Sequence, residues 1–189
     1  MAQRDILKIK CMSCVNGRGE REPGAVAIVL LFDDMDHFGE NSEKIRRALL
    51  NAGCCTLSQE KLFLLPPVFL IYHIDVYIGV LGESSIADIQ TDCADLLRSY
   101  FDPMTGGNEH QGWQIGEIPD REMLHSQLDN CPSVARVHQF TLRVCLESGQ
   151  ELTQSRLEEL QGHGMCLAKA GMICVTARLE QSAFRIPAQ

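Results

Sequence analysis

The sequence predicts an α+β fold: two successive small α/β sandwich-like units, with helices packed on mainly antiparallel sheets. Three observations lead there. "AVAIVLLF" (25 to 32) is apolar on both parities, as a strand covered on both faces must be. "VFLIYHIDVYIGV" (68 to 80) and "FTLRVCLE" (140 to 147) alternate apolar and polar residues, the mark of strands with one wetter face. "SSIADIQTDCADLLRSYFDP" (84 to 103) repeats apolar residues at helical spacing. The proline pair Pro66 and Pro67 divides a long apolar run, and it places the predicted boundary between a first unit at 1 to 67 and a second at 68 to 189.

Taken in chain order, "ILKIKCMSC" alternates like a strand, and the 25 to 32 strand comes after it. After "DDMDHFGE", residues 42 to 52 read as a helix with Asn41 or Ser42 as cap, Ile45, Ala48, Leu49 and Ala52 on one stripe, and Gly53 as the left-handed stop. A short strand near 61 to 65 precedes the prolines. In 68 to 80, Tyr72, Ile74, Val76, Ile78 and Val80 share the packed face, while His73, Asp75 and Tyr77 share the other.

The next helix carries Ile86, Ile89, Cys93, Leu96, Leu97 and Tyr100 inward. Ser85 and Asp88 stand at capping-box spacing at its start, and Pro103 stops it. "PDREMLHSQLDN" reads as a short helix capped by Asp120, with Leu124 and Leu128 inward and Pro132 closing it. The strand around 134 to 146 has Val137 out of phase, which predicts a bulge. A short helix near "SRLEELQGHG" and a final strand, "MICVTARL", complete the order.

Composition narrows the function. At 45% hydrophobic and 22% charged the chain has the balance of a globular protein. No apolar run reaches the roughly 20 residues of a membrane-spanning helix, and the N-terminus carries no apolar signal core, so synthesis in the cytoplasm without membrane insertion is expected. A net charge of -8 argues against nucleic acid as a partner. Nine cysteines without a secretory signal read as reduced thiols.

Two clusters offer chemistry. Cys11 and Cys14 form a Cys-x-x-Cys pair, the half of a zinc site or a redox dithiol, but no second half is spaced to join them. Asp33, Asp34 and Asp36, with His37, come directly after a buried strand, where a carboxylate-dependent enzyme would place its acids. The same residues also suit a solvated turn and cap. The histidines are scattered and no nucleophile elbow is present, so neither enzyme nor cofactor is expected.

"FDPMTGGNEHQGWQIGEIPD" (101 to 120) stands apart, with four glycines and the single tryptophan between two helices. A phosphate cradle lies between a strand and a helix N-terminus, whereas these glycines come after a helix. They read instead as conformational: Gly106 and Gly107 permit positive φ after the Pro103 stop, and Gly112 and Gly116 bend the chain around Trp113.

Pro103, Gly106, Gly107, Gly112, Trp113 and Gly116 form a Pro, Gly-Gly, Gly-Trp-x-x-Gly spacing, with Tyr100, Phe101 and Asp102 before it and the helix and strand from Asp120 to Leu146 after it. In these residues, and in "GAVAIVLLF", "SEKIRRALLNAG" and the 68 to 80 strand, the chain resembles the C-terminal part of the baseplate J-like family over roughly residues 5 to 180. The family comprises wedge proteins of contractile phage tails and injection systems. The resemblance implies a non-catalytic, oligomeric structural subunit that packs against copies of itself and other baseplate proteins and ends up in a virion or injection device. It also implies a body upstream of these units, whereas this chain begins close to the first of them. The nine cysteines depart from the family's pattern. Its motif loop is expected to be a rigid connector locking two helices over one sheet, with Trp113 facing its own core or a neighbour.

Overall fold

Residues 6 to 52, 58 to 81, 85 to 131 and 134 to 180 are described by a computed structural model. The elements run β1 (Ile6–Val15), β2 (Arg21–Phe32), α1 (Phe38–Asn51), a single 3-10 turn at Gln59–Lys61, β3 (Leu62–Leu65), β4 (Val68–Val80), α2 (Ile86–Tyr100), α3 (Arg121–Asp129), β5 (Val134–Leu146), α4 (Gln154–His163) and β6 (Cys166–Leu179). The α+β class and the order of elements are those the sequence predicts. Two three-stranded sheets hold the strands, in the orders β1-β2-β3 and β5-β4-β6. Among the described residues no helix is long and apolar enough to cross a membrane.

Two compact units divide the chain. The first takes Met1–Phe69 together with Trp113–Ile118 and Thr153–Leu167; the second takes Leu70–Gly112, Pro119–Leu152 and Ala168–Gln189. The first unit thus draws in two later segments that a boundary at residue 67 does not include.

In the first unit β2 is the middle strand, antiparallel to β1 and parallel to β3, and α1 supplies the crossover that a parallel pairing requires. Its doubled apolar parity has a direct cause, because each face meets its own cluster. Ile28, Leu30 and Phe32 pack with Leu62 and Leu64 on the face covered by Phe38, Ile45 and Leu50 of α1. Val29 packs on the opposite face with Ile115 and Met165.

Helix α1 starts earlier than predicted, at Phe38, and neither Asn41 nor Ser42 caps it; the Ser42 hydroxyl donates to the Gly39 carbonyl at 3.1 Å. Its inward side also differs from the predicted stripe. Phe38, Ile45 and Leu50 pack, while Ala48, Leu49 and Ala52 are exposed. Aromatic contact decides the start: the Phe38 ring meets Phe32 edge-on at 5.7 Å and anchors the first turn. Arg46 donates to the Leu62 carbonyl and ties the helix to β3. The predicted stop at Gly53 lies outside the described residues.

In the second sheet β4 is central and antiparallel to β5, with bulges on β5 where Ile78 pairs with Val137 and Val80 with Val134. The first of these accounts for the broken phase at Val137, because His138 is the extra residue. β6 begins at Cys166, six positions before the predicted start at Met172. The Val68 N–H donates to the Met165 carbonyl at one end, and the Glu180 N–H to the Val80 carbonyl at the other, so β6 runs parallel to β4. Each sheet is therefore mixed, with one antiparallel and one parallel pairing, where the sequence predicts mainly antiparallel ones.

Helix α2 buries Ile89, Cys93, Ala94, Leu97 and Tyr100, and α3 buries Leu124 and Leu128 while packing on β5 and α2. The Asp120 carboxylate caps α3 as predicted, accepting from the Met123 N–H at 2.7 Å. Ser85 caps differently from its predicted box. Its side chain makes no cap bond, and its backbone carbonyl takes the N–H groups of Asp88 and Ile89 instead. The predicted close at Pro132 lies outside the described residues.

Candidate functional site

The connection from α2 to α3 is built on Asp102. Helix α2 ends at Tyr100 with the Phe101 and Asp102 N–H groups turned back to Arg98 and Ser99, leaving the Asp102 side chain to organise the next turn. Its Oδ1 accepts from the Met104 N–H at 2.8 Å, the Thr105 N–H at 2.7 Å and the Thr105 hydroxyl at 2.9 Å. This is an aspartate-led turn in which one carboxylate oxygen replaces three water contacts.

The glycines then close the loop on itself. The Gly106 N–H donates to the Asp102 carbonyl at 2.8 Å, the Gly107 N–H to Tyr100 at 2.9 Å and the Gly112 N–H to Gly106 at 2.9 Å. Gly107 and Gly112 adopt φ of 77° and 73°, the left-handed region expected for Gly107. Gly106 does not. It is required for space, because a Cβ there would collide with the carbonyls of Tyr100 and Asp102.

Asn108 ties this loop to both helices. Its Oδ1 accepts from the Tyr100 hydroxyl of α2 at 2.9 Å and from the Gln127 amide of α3 at 3.0 Å. Burial pushes the Tyr100 hydroxyl above its ordinary pKa, and the Asp120 carboxylate adds to the shift, so the phenol stays a donor across the physiological range. Phe101 is buried against the Tyr72 ring at 5.1 Å, and the Tyr72 hydroxyl donates to the Pro119 carbonyl at 3.2 Å.

The adjoining stretch, Trp113–Ile118, belongs to the first unit. Trp113 is 7% exposed, so the chain itself covers its indole. Ile115 packs on Val29 and Met165, and its carbonyl takes the Lys10 ammonium at 2.8 Å. The Gly116 N–H donates to the Cys166 carbonyl at 2.6 Å with φ at 94°.

All four motif glycines therefore have their N–H groups bonded to carbonyls of the chain. A phosphate cradle needs such groups free and convergent. What the arrangement can do is hold backbone at close quarters and brace two helices.

The other predicted sites are scattered. Cys11 and Cys14 are exposed on β1, Cys14 at a register shift with φ of 58°. Among the described residues, no group of three or more His, Cys, Asp or Glu side chains converges as metal ligands would. At 33 to 36 the carboxylates serve a turn: Asp34 Oδ1 accepts the Asp36 N–H at 2.9 Å, His37 lies 3.6 Å from Asp34, and Asp33 and Asp36 are exposed. Met35 packs under the turn against the α1-side cluster of β2.

Three of the histidines are held by a hydrogen bond or ion pair. His73 accepts the Met172 N–H at 3.0 Å, His125 pairs with Asp129 at 2.9 Å, and His138 pairs with Glu180 at 2.5 Å.

Sequence reasoning passed over three residues that carry this site: Asp102 as turn builder, Asn108 as double acceptor and Lys10 as the tie to Ile115. Only the first left a signal, since Asp before Pro with glycine four positions on is turn chemistry. The chain matches no protein-family model and no curated protein.

Proposed function

We propose that this protein is a structural assembly subunit, a wedge component of a contractile phage tail or injection-system baseplate that packs against copies of itself and other baseplate proteins. The observation that carries the reading is the internal use of every motif glycine. A loop whose glycine N–H groups are taken by carbonyls of its own chain is a brace, and a brace is what an assembly subunit under mechanical load needs between its helices. Within the Pro, Gly-Gly, Gly-Trp-x-x-Gly spacing behind the resemblance to baseplate J-like proteins, Gly106 and Gly112 are positions where an added Cβ would collide with backbone, which is in keeping with a brace. A net charge of -8 is compatible with protein partners and unsuited to a nucleic-acid ligand.

The test is to tag the chain in its native source, purify the contractile particles and locate the tag by immunogold electron microscopy. Label at the tail baseplate is the expected result. A chain recovered wholly outside the particles overturns the proposal.

A further inference from the structure

Cys93 and Cys131 stand together in the second unit. Cys93 lies in the middle of α2 on its buried stripe, and Cys131 comes after the Asn130 cap of α3 with its side chain half-buried. The Cys93 thiol donates to the Cys131 sulfur at 3.9 Å, and both are free thiols. A disulfide needs its sulfurs about 2.05 Å apart, so closing the pair requires side-chain rotation that brings the two sulfurs about 2 Å closer. Cys131 sits outside the helical ladder, with its N–H on the Leu128 carbonyl and its own carbonyl on the Val134 N–H, so its side chain turns without breaking a helix.

We propose that Cys93 and Cys131 form a reversible intramolecular disulfide, with a small-molecule disulfide of the glutathione type as oxidant. The Cys131 thiolate attacks one sulfur of that disulfide, giving a mixed disulfide on Cys131 and expelling one small thiolate. Cys93 then gives up its proton, its thiolate attacks the Cys131 sulfur, and the second small thiolate leaves. Two electrons pass from the protein thiols to the oxidant, whose two thiolates take up the two protons.

The order of attack is set by the surroundings. Burial first, and then the neighbouring Cys131 sulfur, push the Cys93 thiol up to about 12, so the more accessible Cys131 meets the oxidant first. The closed ring spans 38 residue steps and contains the whole 101 to 120 loop and α3. Oxidation therefore staples the two helices that Asn108 already braces, and it restricts the unfolded chain across a long ring.

The full chain is equilibrated at pH 8 in buffers of varied reduced-to-oxidised glutathione ratio, quenched in acid, alkylated and digested without reduction. Mass mapping is expected to find a Cys93–Cys131 peptide two hydrogens lighter than its reduced parts, growing with oxidised glutathione and lost in dithiothreitol. The oxidised chain is expected to melt roughly 5 °C or more higher than the reduced one. Ring closure, governed by a thiol far above ambient pH, is expected to speed up about tenfold per pH unit between 7 and 9.

In Cys131→Ser both the linked peptide and the rise in melting temperature disappear, whereas Cys145→Ser keeps them. The proposal is overturned if glutathione stays on Cys131 without closure, if links join only Cys11, Cys14 or Cys174, or if oxidation leaves the melt unchanged or lowers it. The mapping of the unmutated chain decides even if a variant fails to fold.

Discussion

The two central strands, β2 and β4, solve the same problem in different ways. β2 is buried continuously from Ala27 to Phe32 because α1 covers one face and Ile115 and Met165 cover the other. β4 buries Leu70, Tyr72, Ile74, Val76 and Ile78, while Ile71, His73, Asp75 and Tyr77 between them stay partly or fully exposed. Doubled parity thus marks a strand with two covers, and alternation marks a strand with one. The second cover of β2 comes from Ile115 and Met165, 86 and 136 positions downstream of Val29, and no local pattern around β2 points to it.

Substitutions that separate the parities test the comparison, and the largest effect belongs to β2. Val29→Asp and Leu30→Asp should each cost at least about 4 kcal/mol, because either face buries an unpaired carboxylate. Urea unfolding monitored by Trp113, the single tryptophan, reads this in the first unit. If one of the two variants melts like the parent, β2 does not have two covers. Removing the distant cover comes next: Ile115→Ala should lower stability by about 3 kcal/mol in the same assay, the cost of a cavity against Val29 and Met165.

On β4 the wetter parity responds in smaller steps. His73→Leu removes the acceptor of the Met172 N–H and should cost about 1 kcal/mol, seen as a shift of the urea midpoint. Asp75→Ser, exposed on the same face, should stay within about 0.5 kcal/mol of the parent. A loss of 2 kcal/mol or more at Asp75 would mean that this face is covered after all.

These differences also explain what the sequence made legible. The bounds of β4 coincide with the predicted 68 to 80 because alternation ends sharply at the proline pair and at Leu81. The first residues of β6 escaped because Cys166, Leu167 and Ala168 are buried on both parities, which breaks the alternation that runs from Met172 onward. α1 misled for a related reason: Ala48 and Leu49 fit the helical period, but the sheet beneath takes Ile45 and Leu50. In the loop, the glycine spacing was visible and its causes only partly so. Positive φ at Gly107, Gly112 and Gly116 is in keeping with residue type, whereas the space required at Gly106 depends on where the Tyr100 and Asp102 carbonyls end up.

The parallel pairing of β4 with β6 has a consequence in time. β5 is made two helices after β4, but β6 is the last of the described strands to be made. On the ribosome one edge of β4 must wait for roughly a hundred further residues, several seconds at ordinary synthesis rates, with its N–H and C=O groups open to any passing strand. Pairing across that span is a slow, non-local step. The last-made strand is therefore both the slowest part of the sheet to dock and the one that ends its exposure to aggregation.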